Sequence, residues 1–140
     1  MRLVGIDFGE RRIGVAAADD RLRLAIPVTT ITVGDDPVAD LVYLARDQRA
    51  DELVIGLPLS LSGAEGPQAQ RIRDVVAELE TRIDIPIRLQ DERLTTRQAE
   101  RAAPQKKKGV SRAKAGSPGR DAAAAAILLQ AYLDSQRPYG

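Results

Sequence analysis

RLVGIDFGERRIGVAAA, residues 2–18, carries the strongest signals of the fold in this chain. Residues 2–7 are mainly apolar and predict a buried strand, and Gly9 marks the turn that follows it. Residues 13–18 predict a second strand, which would form a hairpin with the first. Residues 25–33 are rich in β-branched side chains and predict a third strand. The chain therefore opens with a predicted three-stranded antiparallel meander.

Beyond residue 33, predicted helices alternate with predicted strands. Helix start signals occur at Asp36-Pro37, at Pro67 and in a capping box that begins at Thr95. The predicted helices cover residues 36–48 and 67–82, a short segment from 95, and 121–133; the predicted strands cover 52–56 and 85–90. This order predicts an α/β fold in one domain, residues 1–140. Its mixed five-stranded sheet has the strand order 3-2-1-4-5, with helices on both faces.

The composition excludes several classes of site. The chain has no Cys and no His, which rules out disulfides, thiolate chemistry, imidazole metal sites and a Ser-His triad. One Phe, three Tyr and no Trp make a platform for stacking bases unlikely on compositional grounds. The absence of Cys suits a reducing cytoplasm. The longest apolar run, residues 122–129, is far shorter than the roughly 20 residues that cross a bilayer, so no membrane association is expected.

Positive charge is concentrated in one segment. Residues 101–120 contain seven of the 21 basic residues and none of the 20 acidic ones. We expect this segment to bind the phosphate backbone of a nucleic acid, although a solvated charge run is the alternative. The predicted contacts are Lys106, Lys107, Lys108, Arg112 and Lys114, and Arg11 and Arg12 could extend the same surface or be exposed hairpin residues.

Three acidic residues are predicted to meet at one edge of the sheet. Asp7 ends the first strand, Glu92 lies one step past the last strand, and Asp121 begins the final helix. Taken singly, they could be a turn cap, part of an acidic loop and a helix N-cap. Together they would repel one another unless a cation neutralises them, and Mg²⁺ prefers such oxygen ligands. The pattern predicts that Asp7, Glu92 and Asp121 are catalytic and hold two Mg²⁺ or Mn²⁺ ions.

The chain resembles the YqgF family, also called RuvX. The resemblance rests on four motifs that occur in family order: GIDFGERRIGVA (5–16), VIGLPLSLSGAEGPQAQR (54–71), DERLTT (91–96) and DAAAAAILLQAYL (121–133). It implies an RNase H-like fold with the acidic positions at Asp7, Glu92 and Asp121. It also implies an endonuclease that processes the 5′ end of the small-subunit ribosomal RNA precursor. RuvC resolvases carry an acid near the end of the fourth strand, where this chain has Gly56-Leu-Pro58.

Three other functions stay open at this point. A Holliday junction resolvase would act on branched DNA and would need two active sites, hence a homodimer. A phosphotransferase of the actin and sugar-kinase group begins with a similar strand and turn, but it needs two such domains to close on ATP. A non-catalytic RNA-binding factor for ribosome assembly would use the same basic segment. Each alternative except the kinase takes a nucleic acid as its partner.

Overall fold

The computed structural model describes residues 1–92 and 119–136. Five strands form one sheet: β1 (Arg2–Phe8), β2 (Arg12–Asp19), β3 (Ile26–Thr32), β4 (Glu52–Leu57) and β5 (Ile87–Asp91). Three helices are described: α1 (Pro37–Asp47), α2 (Pro67–Leu79) and α3 (Gly119–Ser135). The strand order is β3-β2-β1-β4-β5, which confirms the prediction. Within these residues, no helix is both long and apolar enough to cross a membrane.

The register of the central strands determines what surrounds Asp7. Strand β1 pairs with β2 in the antiparallel direction, and Asp7 lies opposite Gly14. On its other side β1 runs parallel to β4, where Ile6 pairs with Ile55, so the next residues along the two strands are Asp7 and Gly56. Asp7 is thus flanked on the sheet by a glycine from each neighbouring strand.

Helices α1 and α2 cover one face of the sheet. Side chains of β1, β2 and β4 that alternate along each strand, such as Ile6, Val15 and Ile55, are buried against them. Helix α1 begins as predicted, because the Asp36 carboxylate accepts a hydrogen bond from Ala39 N at 3.1 Å. Pro67 supplies the expected start of α2.

Helix α3 packs on the opposite face, against small side chains. A Cβ atom at Gly5 would lie 2.8 Å from Cβ of Leu129, so only glycine admits the helix at this distance. Ala16, Ala125 and Leu129 are fully buried in this second cluster. The alanine-rich sequence of α3 therefore serves close packing on the sheet, and this packing fixes the position of its first turn.

Some predicted boundaries differ from the structure. Strand β5 begins at Ile87 rather than at residue 85, because Pro86 has no N–H to donate to a ladder. Helix α2 ends at Leu79 rather than near residue 82. Helix α3 begins at Gly119, which places Asp121 inside the first turn. The predicted helix from Thr95 and most of the basic segment lie outside the described residues.

Helices α1 and α2 each bury a broad stripe of side chains against the sheet. The buried residues are Val38, Leu41, Leu44 and Ala45 in α1, and Ala69, Ile72, Val76 and Leu79 in α2. Val42 and Val75 are partly buried and pack against the same core. A helix facing a sheet buries a wider stripe than one row of apolar positions.

Candidate active site

Asp7 lies at the centre of the candidate site. It is half-buried near the carboxyl end of β1, and its side chain lies on the same face of the sheet as Gly5 and helix α3, because side chains alternate along a strand. Its lateral neighbours Gly14 and Gly56 have no side chains, so the space on both sides of the Asp7 carboxylate is open to groups from other elements.

The first turn of α3 occupies the space over Gly14. A Cβ atom at Gly14 would lie 1.9 Å from the backbone oxygen of Asp121 and 2.9 Å from Ala122 N. The backbone of Asp121 therefore rests directly on β2, opposite Asp7. Glycine at position 14 is what allows this approach.

The side chain of Glu92 occupies the space over Gly56. A Cβ atom at Gly56 would lie 2.6 Å from Oε2 of Glu92 and 2.8 Å from its Cδ. Glu92 follows the last residue of β5, and its side chain reaches across to the carboxyl end of β4, where Gly56 and Leu57 supply no carboxylate. The structure thus brings Glu92 and Asp121 to opposite sides of Asp7.

The electrostatics of the three acids agree with this arrangement. Burial raises the pKa of Asp7, and the negative charge of Asp121 raises it further. Burial raises the pKa of Glu92 to about 7, with further contributions from the charges of Asp7 and Asp91. The ionised forms of Asp7 and Glu92 are therefore both disfavoured unless a positive charge compensates them. A bound cation would supply that charge, and the carboxylates of the three acids offer it hard oxygen donors.

Arg12 provides one positive charge at this site already. Its Nε atom donates to Oδ2 of Asp121 at 2.8 Å, although the Arg12 side chain is 64% exposed. In residues 1–92 and 119–136, no three acidic side chains form a complete set of metal ligands as they stand. The arrangement is a pair of coupled acids, Asp7 and Glu92, with Asp121 beside them and engaged by Arg12.

The structure describes only some of the residues predicted to bind nucleic acid. Arg11 is exposed in the hairpin turn next to Arg12. The basic residues Lys106, Lys107, Lys108, Arg112 and Lys114 lie outside the described part of the chain.

Sequence reasoning missed two glycines of the site, Gly14 and Gly56. Glycine inside a strand is a known sign of close approach by another group and could have indicated them. On the other face of the sheet, the guanidinium of Arg71 in α2 lies 5.2 Å from the centre of the Phe8 ring.

Known proteins resemble this chain over its whole length. A relative from Roseiflexus sp. (strain RS-1), named "Putative pre-16S rRNA nuclease", is 45% identical over 97% of this chain and 96% of its own length. One of the same name from Anaeromyxobacter dehalogenans (strain 2CP-1 / ATCC BAA-258) is 41% identical over 99% of this chain and 100% of its own.

A solved structure and a family model also match this chain. RuvC of T. thermophilus, in complex with a Holliday junction substrate, has a TM-score of 0.59 at 16% identity and covers 97% of this chain and 95% of its own. This likeness confirms the predicted RNase H-like fold. A family model described as "RuvX: Holliday junction resolvase" matches residues 1–135. The chain belongs to the RuvX family, as its four motifs predict.

Proposed function

We propose that this chain is a metal-dependent endonuclease that cleaves the phosphodiester backbone of a nucleic acid. The observation that carries the proposal is the position of Asp7 between two further acids, Glu92 over Gly56 and Asp121 over Gly14. Burial and the nearby negative charges disfavour the ionised forms of Asp7 and Glu92. Divalent cations would compensate the negative charges of these acids and of a bound phosphate backbone.

Asp7, Glu92 and Asp121 would hold Mg²⁺ or Mn²⁺ in this proposal. Magnesium in phosphoryl-transfer sites usually takes one or two protein carboxylates and completes its shell with water and substrate oxygens. When bound, the metal supplies positive charge to the phosphate oxygens during in-line displacement; two ions would serve the attacking and the leaving oxygen. The chain itself orients the carboxylates, through the two glycines and the packing of α3.

Basic residues around the acids would hold the nucleic acid. Arg11 and Arg12 lie in the turn and at the start of β2, next to the carboxyl end of β1. The basic segment with Lys106, Lys107, Lys108, Arg112 and Lys114 precedes α3 in the chain, so it leads directly to Asp121. Flexible cationic side chains suit contacts to phosphate, which position a substrate without reading its sequence.

The substrate that we propose is the 5′ end of the small-subunit ribosomal RNA precursor. Relatives that are 45% and 41% identical carry the name "Putative pre-16S rRNA nuclease". A four-way DNA junction is the second candidate, because the matching family model is described as a resolvase and the RuvC structure that shares the fold holds such a junction. We place the reaction in the cytoplasm, in line with a chain that has no cysteine.

Cleavage of defined substrates tests the proposal. The substrates are an end-labelled RNA that spans the precursor 5′ end, a four-way DNA junction and a linear duplex, each with Mg²⁺ or with EDTA. Asp7→Asn removes the central carboxylate at nearly constant shape. Asp84→Asn is the matched control, because Asp84 is exposed and lies before β5, at the opposite end of that strand from Glu92. We expect cleavage by wild type and Asp84→Asn in Mg²⁺ only. Cleavage in excess EDTA, or by Asp7→Asn at the wild-type rate, would contradict it.

A further inference from the structure

Arg12 and Asp121 form the ion pair that links the predicted nucleic-acid surface to the acids. Nε of Arg12 and Oδ2 of Asp121 are 2.8 Å apart, and their side chains are 64% and 32% exposed. Arg12 is the first residue of β2, and Asp121 belongs to the first turn of α3, so the pair joins two elements that lie 109 residues apart in the chain.

Each member of this ion pair could instead bind another partner, a phosphate at Arg12 and a cation at Asp121. A guanidinium that binds a carboxylate through Nε has fewer donors left for a phosphate, which it would otherwise bind in a forked geometry. A carboxylate that is bound by a guanidinium is also a poorer ligand for a cation, because the two positive charges repel. Arg12 therefore opposes cation binding at Asp121 for as long as the pair is closed.

The structure allows the pair to open without moving the acid. The Asp121 backbone is held against Gly14, where a Cβ would lie 1.9 Å from its carbonyl oxygen, and α3 is buried along its length by residues such as Ala125 and Leu129. Arg12, in contrast, is mostly exposed and sits next to Arg11 at the edge that a phosphate backbone would approach. Exposed ion pairs are weak and exchange partners readily.

We propose that Arg12 couples the binding of nucleic acid to the binding of the divalent metal. In the free protein Arg12 holds Asp121; when a phosphate takes Arg12, the Asp121 carboxylate is released toward Asp7. By linkage, metal and nucleic acid each strengthen the binding of the other by the same factor. The inference rests on the proposed function, since it assumes that these acids bind metal. It assigns Arg12 the role of a positioning residue that acts through Asp121.

The first test uses the metal alone. Binding of Mn²⁺ to the free protein is measured by electron paramagnetic resonance for wild type, Arg12→Gln, Arg12→Lys and Arg11→Gln. Arg11→Gln is the matched control, because it removes the neighbouring charge but not the contact with Asp121. We expect Arg12→Gln to bind Mn²⁺ about fivefold more tightly than wild type, the factor that corresponds to an ion pair of about 1 kcal/mol. Arg12→Lys and Arg11→Gln should stay within about twofold of wild type.

The second test measures the coupling. Fluorescence anisotropy gives the affinity for a fluorescein-labelled, phosphorothioate-substituted RNA, with and without saturating Mn²⁺ at constant ionic strength. The Mn²⁺-induced gain in affinity should be about fivefold smaller in Arg12→Gln than in wild type and Arg11→Gln. Equal gains, or weaker Mn²⁺ binding by Arg12→Gln, would overturn the inference but leave the metal site intact. Failure of wild type to bind Mn²⁺ would overturn the proposed function and the inference together.

Discussion

The Glu92 carboxylate lies on the backbone of Gly56, so close that a Cβ atom there would be 2.6 Å from Oε2. The acid that follows β5 thereby fills the space that a side chain of β4 would take. Gly56 follows Ile55, which pairs with Ile6 of β1, so Gly56 lies beside Asp7. The contact therefore also determines on which side of Asp7 the Glu92 side chain lies. Gly56 thus leaves room near the carboxyl end of β4 for an acid that comes from the end of β5.

Gly56→Ala should displace Glu92 and impair the site while the fold is kept. The methyl group would meet three atoms of the Glu92 side chain, which can move because Glu92 follows the strand rather than lying within it. A shift of about 1 Å in such a group costs about 100-fold in rate. The measurements are Mn²⁺ affinity and cleavage rate. Gly66→Ala is the control, because no atom lies within 4 Å of a Cβ at that position; a Gly56→Ala variant that equals it would refute this role of Gly56.

Gly14→Ala should lower stability instead of affecting activity selectively. Here the Cβ would meet the backbone of Asp121 and Ala122, which is part of a buried helix and cannot move without shifting α3. Overpacking of this kind costs about 1–3 kcal/mol of the free energy of unfolding. Urea denaturation at fixed pH measures the loss, again relative to Gly66→Ala. A Gly14→Ala protein as stable as wild type would show that α3 is not held where the structure has it.

The metal-free protein should lose stability as the pH rises toward neutrality. The pKa of Glu92 is about 7 in the folded state against 4.5 for the free group, so between these values the folded state binds more protons than the unfolded state. The free energy of unfolding should therefore fall from pH 4.5 to pH 7. In urea titrations with EDTA, Glu92→Gln should show a smaller decline over this window and be more stable than wild type at pH 8. Identical profiles for both proteins would contradict the assigned environment of Glu92.

The basic segment should contribute to affinity through its charge. Replacing Lys106, Lys107 and Lys108 by Gln should weaken binding to RNA of any sequence. It should also flatten the slope of log affinity against log salt concentration by about two units, since each lost phosphate contact removes roughly 0.7 to 0.9. A salt titration of wild type and the triple variant decides the matter. Unchanged slopes would leave Arg11 and Arg12 as the candidates for the path of the nucleic acid.

The sequence was sufficient for the sheet order and for the approximate positions of the acids. The order of strands and helices along the chain leaves few possible topologies. Acids that follow parallel strands, such as Glu92, meet at one edge of the sheet. Which groups approach Gly14 and Gly56, and the pairing of Arg12 with Asp121, could not be predicted. They depend on how closely α3 packs on the sheet and on which way a long side chain turns, and neither leaves a periodic signal in the sequence.

A crystal structure of the protein soaked in Mn²⁺ would show whether Asp7, Glu92 and Asp121 form the metal site. The anomalous difference map identifies the ion independently of activity. We expect a peak within coordination distance of the Asp7 carboxylate and shared with Glu92 or Asp121. The same soak of Asp7→Asn should give a weakened peak or none. Mn²⁺ bound elsewhere, with the space beside Asp7 empty in a well-ordered map, would refute this metal site.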